Sequence, residues 1–311
     1  MQFDNLIETL YSRHYFNGPA SLKFSQETSS HWREFGKKTN VIKVKKPGEV
    51  IDYEIKAYGI SGFKKNTLLN RLINTPSCYL LPKILSQYNA NPETTRCAIG
   101  ISKKLNIIFN FDHVKHILIF DLLDSYGVFD SDNLMCIIGD GHGFFGTLIK
   151  SMRPNAKIMF VNLGRNLTID SVCFSKIHSE INPLLLDDAE DIKKISSHSV
   201  IFLEAERFKM MKNLKIGLFI NIASMQEMDE SMIEAYFDIM QTSSAKPYFY
   251  CCNREEKILP DGNIIRFIDY PWFGDLLIDE PCPWYEKYPS NRPPFWKKFD
   301  GTHLHRLIKI N

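Results

Sequence analysis

The sequence predicts an α/β fold: a mostly parallel sheet that ends in antiparallel strands, preceded by a partly helical N-terminal cap region. Three observations carry that reading. From about residue 112 the chain alternates between helical and strand-like segments, the pattern of a sheet with helices packed on it. Its strand-like segments are short and almost wholly apolar, as strands covered on both faces must be. Between the first of them and the next helix lies a turn rich in glycine, Gly139-Asp-Gly141-His-Gly143-Phe-Phe-Gly146.

Residues 1–112 mix helical patches with polar stretches. LLNRLINTPSCYLLPKILSQY reads as two short helices divided at Pro76, because proline clashes with the turn before it. GKKTNVIKVKKPGE, with Lys37, Lys38, Lys43, Lys45 and Lys46, reads as a solvated loop or exposed hairpin. In FDHVKHILIFDLLDSYG, Val114, Ile117, Leu118 and Leu122 fall at helical spacing and Gly127 supplies a stop. LMCII (134–138) is the first buried strand, and the helix FGTLIKSM follows the glycine turn and stops before Pro154. KIMFVNL (157–163), VIFLEA (200–205) and GLFINIA (217–223) are the second to fourth strands. The helix ESMIEAYFDIMQ leads to a fifth, PYFYCC (247–252). IIRFIDY and HLHRLIKI alternate apolar with polar residues and predict an antiparallel edge pair. The expected division is a cap and substrate region over 1–112 and a nucleotide-binding fold over 113–311.

Bulk properties narrow the function. With 38 Lys and Arg against 36 Asp and Glu, the net charge is only +2, so no nucleic-acid partner is expected. No apolar run approaches the length of a membrane span. The stretch MQFDNLIETLYSRHYF has no apolar signal core. The seven cysteines show no C-x-x-C spacing, which predicts neither a disulfide framework nor a zinc site and suits a cytoplasmic protein.

The glycine turn is the strongest local signal. Glycine permits positive φ and lets backbone N–H groups approach a ligand, and the following helix presents its N-terminus to it. Two cofactors fit. Gly141-x-Gly143-x-x-Gly146 matches a dinucleotide fingerprint, which keeps an NAD(P)-dependent oxidoreductase as one reading. Gly139-x-Gly141-x-Gly143 matches a loop for S-adenosylmethionine. The position of the turn, well inside the chain, and the antiparallel end of the sheet favour the second. A tight strand–helix turn without a ligand is the plain alternative.

The order CIIGDGHGFFG, MFVNLGRNL, LFINIASMQEMD, YFYCCNREEK, DYPW and DGTHLHR resembles the sugar O-methyltransferases of bacterial surface-polysaccharide clusters. These are class I enzymes that use S-adenosylmethionine. The resemblance spans roughly 112–311. It implies a Rossmann-like methyltransferase sheet, transfer of a methyl group to a sugar hydroxyl, and a sugar, sugar nucleotide or polysaccharide acceptor. Two positions depart from the pattern: Ile137 and Asn162 stand where such enzymes commonly carry an acid. They keep open a partner subunit that retains the fold without catalysis.

Ligands of open α/β sheets bind beyond the strand carboxyl ends, and that rule selects the candidate residues. For the cofactor they are Gly139, Asp140, Gly141, His142, Gly143, Asn162, Leu163, Glu204, Asn221 and Ala223. For the acceptor they are Ser224, Gln226, Asn253 and Arg254, joined by Trp272 of an aromatic, proline-rich segment, since aromatic faces suit sugar rings. Glu227 is the first candidate for a general base; it also completes a capping box with Ser224. His303 and His305 alternate on a strand, so they share a face, and they are further catalytic candidates. No metal ligands are assigned.

Overall fold

Each of the five apolar runs forms a strand, and all five lie parallel in one sheet. The computed structural model describes residues 2–15, 29–35, 40–45, 51–56, 63–130, 132–212 and 214–311. Its helices are α1 (Phe3–His14), α2 (Ser30–Phe35), α3 (Leu68–Gln87), α4 (Pro92–Lys104), α5 (Phe111–Ser125), α6 (Phe144–Met152), α7 (Gly164–Ser175), α8 (Ala189–Ile192) and α9 (Glu230–Gln241). Its strands are β1 (Asn40–Lys45), β2 (Ile51–Lys56), β3 (Leu134–Ile138), β4 (Ile158–Asn162), β5 (Leu184–Leu185), β6 (Val200–Glu204) and β7 (Ile216–Ile222). They continue with β8 (Tyr248–Arg254), β9 (Glu256–Ile258), β10 (Ile264–Arg266), β11 (Asp275–Pro281), β12 (Lys287–Pro289), β13 (Trp296–Lys298) and β14 (His303–Lys309).

The main sheet has eight strands in the order β11-β14-β8-β7-β3-β4-β6-β5. Strand β14 pairs antiparallel with both β8 and β11, so it alone runs against the rest. This is a mostly parallel, Rossmann-like sheet in which one reversed strand is inserted near the end of a doubly wound order. The chain leaves β3 toward β4 and β6, then returns to β7 and β8 on the other side. The switch point therefore lies at the carboxyl ends of β3 and β7.

Alternation along the strands divides the core. Met135, Ile137 and Phe160 join the apolar layer shared with α1, α5, α6 and α7. Cys136, Ile138 and Val161 join the opposite layer with Ile233, Tyr236 and Phe237 of α9. Helix α1 belongs to the first layer: Phe3 lies against Phe174 and Phe202. Gly164 lies so close to α1 that a Cβ there would meet the His14 ring at 2.1 Å. The described N-terminal residues and the sheet thus share one core.

Three expectations change. Leu68–Gln87 is one helix of 20 residues with Pro76 and Pro82 inside it; burial of Leu81 and Ile84 outweighs the lost backbone bonds. The segment 264–266 leaves the main sheet and pairs with β9 in a hairpin. The strand beside β14 is instead β11, whose exposed Leu276 and Leu277 did not read as a buried strand. Of the basic stretch, residues 36–39 and 46–50 lie outside the described residues; β1 and β2 pair antiparallel and bury Val41, Tyr53 and Ile55.

Candidate active site

A cavity of about 320 Å³ opens at the switch point, within the usual range of small-molecule sites. Its floor is the glycine turn. Gly139, Gly141 and Gly143 all have positive φ, at 75°, 86° and 69°. The reasons differ. A Cβ on Gly139 would stand 2.0 Å from Ser224 Oγ, so glycine there lets the turns after β3 and β7 touch. A Cβ on Gly141 would meet nothing within 4 Å, which leaves bare backbone on a cavity wall. Gly146 packs α6 on the sheet, with Phe160 where its Cβ would be.

Asp140 takes the donors at the start of α6. Its carboxylate accepts from the N–H groups of Phe145 at 3.0 Å and Gly146 at 2.7 Å. Burial raises its pKa to about 6, against the pull of those two bonds. The N-terminus of α6, the place a dinucleotide pyrophosphate would use, is therefore filled by the protein's own carboxylate.

Asn162 lines the cavity, but its amide is largely committed. Nδ2 donates to Asp170 Oδ2 at 2.9 Å, and Oδ1 accepts from the N–H of Leu163 at 3.0 Å. Asp170 is buried and its pKa is driven well up, first by burial and then by Asp140. Asn162 thus braces α7. Glu206, not singled out in the sequence, brings a carboxylate to the same wall from the turn after β6.

Glu204 is not on the wall. It is paired in register with Asn162, yet its carboxylate bonds His14, Arg13 at 3.2 Å and Arg207 at 3.3 Å. Those partners hold its pKa below the usual carboxylate value despite burial. Glu204 therefore clamps α1 to the sheet.

Asn221 and Asn253 are likewise framework rather than wall. Asn221 Nδ2 donates to the carbonyl of Ile138 at 2.9 Å, while its Oδ1 accepts from Met225 N–H and Asn253 Nδ2. Asn253 Oδ1 accepts from Gln226 N–H, and Gln226 Oε1 accepts from Arg254 N–H at 2.7 Å. This network fixes the turn that presents Ala223, Ser224, Gln226 and Glu227 to the cavity. Ala223 holds a left-handed φ of 56° there, a strain the surrounding bonds enforce.

Glu227 lies in a short 3-10 turn, and Ser224 makes no side-chain cap bond. The capping box suggested by spacing is absent, and the carboxyl group faces the cavity. Burial raises its pKa to about 7, opposed by Lys257 and Arg254. His31 Nε2 stands 3.4 Å from Glu227 Oε1. Burial lowers the His31 pKa to about 4, so the contact is a neutral imidazole beside a carboxyl group rather than an ion pair. Ser29 Oγ donates to the backbone carbonyl of Glu227. Residues 29–32 thus supply wall to the cavity through Ser29 and Trp32, a contribution that sequence separation concealed.

Helix α5 supplies another wall. Asn110 and His113 form a reciprocal cap that fixes its start. Asp112, Lys115 and His116 then share one face at spacings of three and four and line the cavity. Lys115 Nζ pairs with Asp112 at 2.6 Å and sits over the Tyr285 ring at 4.5 Å. His142 packs against His113 and His116, and burial lowers its pKa to about 4.

The remaining candidates lie elsewhere. His303 stacks on Tyr285 at 4.4 Å, so Tyr285 stands between it and the cavity. His305 packs against Trp284, with Tyr250 Oη 3.3 Å from Nδ1. Burial lowers both histidines' pKa values, that of His303 to about 3. Arg254 Nη1 faces Asp300 at 3.4 Å. Trp272 donates to the Phe267 carbonyl and carries Arg306 over its face. Among the described residues no cluster of three or more His, Cys, Asp or Glu could hold a metal ion, and no helix is long and apolar enough to cross a membrane.

No family model matches the sequence, and no curated protein matches it. Solved structures similar to it include a proposed RNA methyltransferase of Pyrococcus horikoshii, 11% identical over 71% of this chain and 98% of that one, with a TM-score of 0.41. A proposed O-methyltransferase of Nostoc punctiforme is 13% identical over 61% of this chain and 54% of its own, with a TM-score of 0.38. An M. capricolum protein in complex with S-adenosyl-homocysteine is 10% identical over 60% and 67%, at a TM-score of 0.30.

Proposed function

We propose that this chain is an S-adenosylmethionine-dependent O-methyltransferase whose acceptor is a sugar hydroxyl. The observation that carries the cofactor choice is the pairing of Asp140 with the N-terminus of α6, beside the bare backbone of Gly141. A pyrophosphate would meet a carboxylate at that helix end, whereas the zwitterionic amino-acid end of S-adenosylmethionine needs no such anion site. The same contact weighs against a nicotinamide dinucleotide.

The residues present fit the cofactor. Gly139 to His142 would hold its amino-acid end, and Asn162, Leu163 and Glu206 its nucleoside. When bound, S-adenosylmethionine supplies a methyl group already activated by the sulfonium charge. The chain then has to align an acceptor oxygen and accept its proton. Glu227 is the proton acceptor in this reading. Its carboxyl titrates near neutrality, faces the cavity and is not used as a cap. Ser224 and Gln226 lie next to it on the wall for acceptor hydroxyls. Trp32 offers an aromatic surface to a sugar ring. Residues 113–311 would then carry the cofactor cradle and 1–112 would cover the acceptor end.

Calorimetry tests the reading. Expected is binding of S-adenosylhomocysteine and none of NAD or NADP; the reverse overturns it. Binding without methyl transfer to any sugar or sugar-nucleotide acceptor would support the partner-subunit alternative that Ile137 and Asn162 keep open.

A further inference from the structure

Helix α3 is apolar on two sides. Leu81 and Ile84 face the core, as an amphipathic helix requires. The outward side of its N-terminal half is apolar as well. Leu68, Leu69, Leu72, Ile73 and Tyr79 are 75%, 67%, 65%, 52% and 83% exposed. At 100° per residue these five fall within about 140° of arc on one side of the helix. Scattered exposed leucines are ordinary, but a contiguous stripe on one helix calls for a partner.

Charge says which partner. Helix α3 holds Arg71 and Lys83 and contains no Asp or Glu. Lys64 and Lys65 precede it, and Lys103 and Lys104 end α4 beside the same bridge between Lys65 and Ile107. Lys65 is matched by Glu54; among the described residues the other cations have no carboxylate at ion-pair distance. Two copies of the chain meeting along α3 would set like charges together. An apolar stripe rimmed by cations suits an anionic lipid surface, where aliphatic side chains enter the acyl boundary and lysine or arginine meets headgroups.

We propose that α3 is a peripheral membrane-docking helix for anionic bilayers. The helix packs on α5 and on β12, which lead directly to Asp112, Lys115, His116 and Tyr285 on the cavity wall. Docking there would hold that side of the cavity close to the lipid surface. The inference does not depend on the identity of the cofactor.

Vesicle co-sedimentation of the full chain tests it. Vesicles of phosphatidylglycerol and phosphatidylethanolamine are compared with vesicles of phosphatidylcholine alone. Expected is sedimentation with the anionic vesicles, at least tenfold weaker with phosphatidylcholine and falling with salt. Leu69→Glu with Leu72→Glu should lower the bound fraction at least tenfold, and Arg71→Glu with Lys83→Glu should do so on anionic vesicles. Because all four residues point outward, both variants should keep the wild-type circular dichroism and melting curve. No sedimentation with anionic vesicles, or binding unchanged in both variants, overturns the proposal. So does a dimer in light scattering that the leucine variant dissolves, since the stripe would then be a protein interface.

Discussion

Glu227→Gln separates a catalytic carboxylate from a structural one through two opposite effects. In the folded chain the carboxyl titrates near 7, against an ordinary value of 4.5, because it is buried. A folded pKa above the unfolded one means that the native state holds its proton more tightly. The stabilisation is full below pH 4.5 and is lost as pH rises through 7. Each pH unit between the two values is worth ~1.4 kcal/mol. Keeping an ionised Glu227 in place above neutrality therefore costs about 3 kcal/mol, reduced somewhat by the 18% of the side chain that remains exposed. Glutamine carries no such charge. The variant should be more stable than the parent at pH 8, by up to about 3 kcal/mol, and indistinguishable from it at pH 4.5. Turnover should move the other way, falling ~10²–10⁴-fold with the loss of general-base help. In the parent, turnover should rise with pH through about 7 and then level off, as the carboxylate forms. His31 stays neutral across that range, so it adds no inflection above pH 5; Asp140, raised by burial to about 6, titrates below Glu227. The assay is single-turnover methyl transfer from pH 5 to 9, with denaturant melts of both proteins at pH 4.5 and 8. Unchanged turnover, or equal stability at pH 8, would refute the reasoning.

Three further outcomes follow. Gly141→Ala places a Cβ in open cavity space at a φ of 86°, so it should cost about 1–2 kcal/mol of backbone strain and weaken S-adenosylhomocysteine binding at least tenfold; calorimetry and a melting curve read both. Asn162→Asp would set a second carboxylate against buried Asp170. It should melt lower than the parent, and further below it at pH 8 than at pH 5, whereas a residue engaged only with ribose would leave the melting curve alone. Glu204→Gln removes the carboxylate that Arg13 and His14 share; it should lose about 1–3 kcal/mol, with faster hydrogen exchange in α1 and unchanged cofactor affinity.

Much of the architecture was legible because its causes are local. Short apolar runs such as LMCII and VIFLEA must be covered on both faces, which a parallel sheet between helices provides. The glycine turn was legible for the same reason: positive φ at Gly139, Gly141 and Gly143 is a property of those residues. The edge strand β11 escaped because its exposed leucines gave no buried pattern. Pro76 failed to divide α3 because packing over five turns outweighed one local clash.

The site was legible only in part. Sequence alone located the turns after β3, β4 and β7, and with them Gly139, Gly141, Asn162, Ser224 and Glu227. It could not tell Glu204 from Glu206, or Asn221 from Asn162, since each is a polar residue at or just past a strand end. Tertiary structure decided those cases. Arg13 and His14 of α1 claim Glu204, and Ile138 and Met225 claim Asn221. Tyr285 screens His303 from the cavity, and His31 reaches Glu227 across 196 positions of chain. Local backbone preference places a turn, but the direction of a polar side chain depends on which distant partner offers the better compensation for burying it.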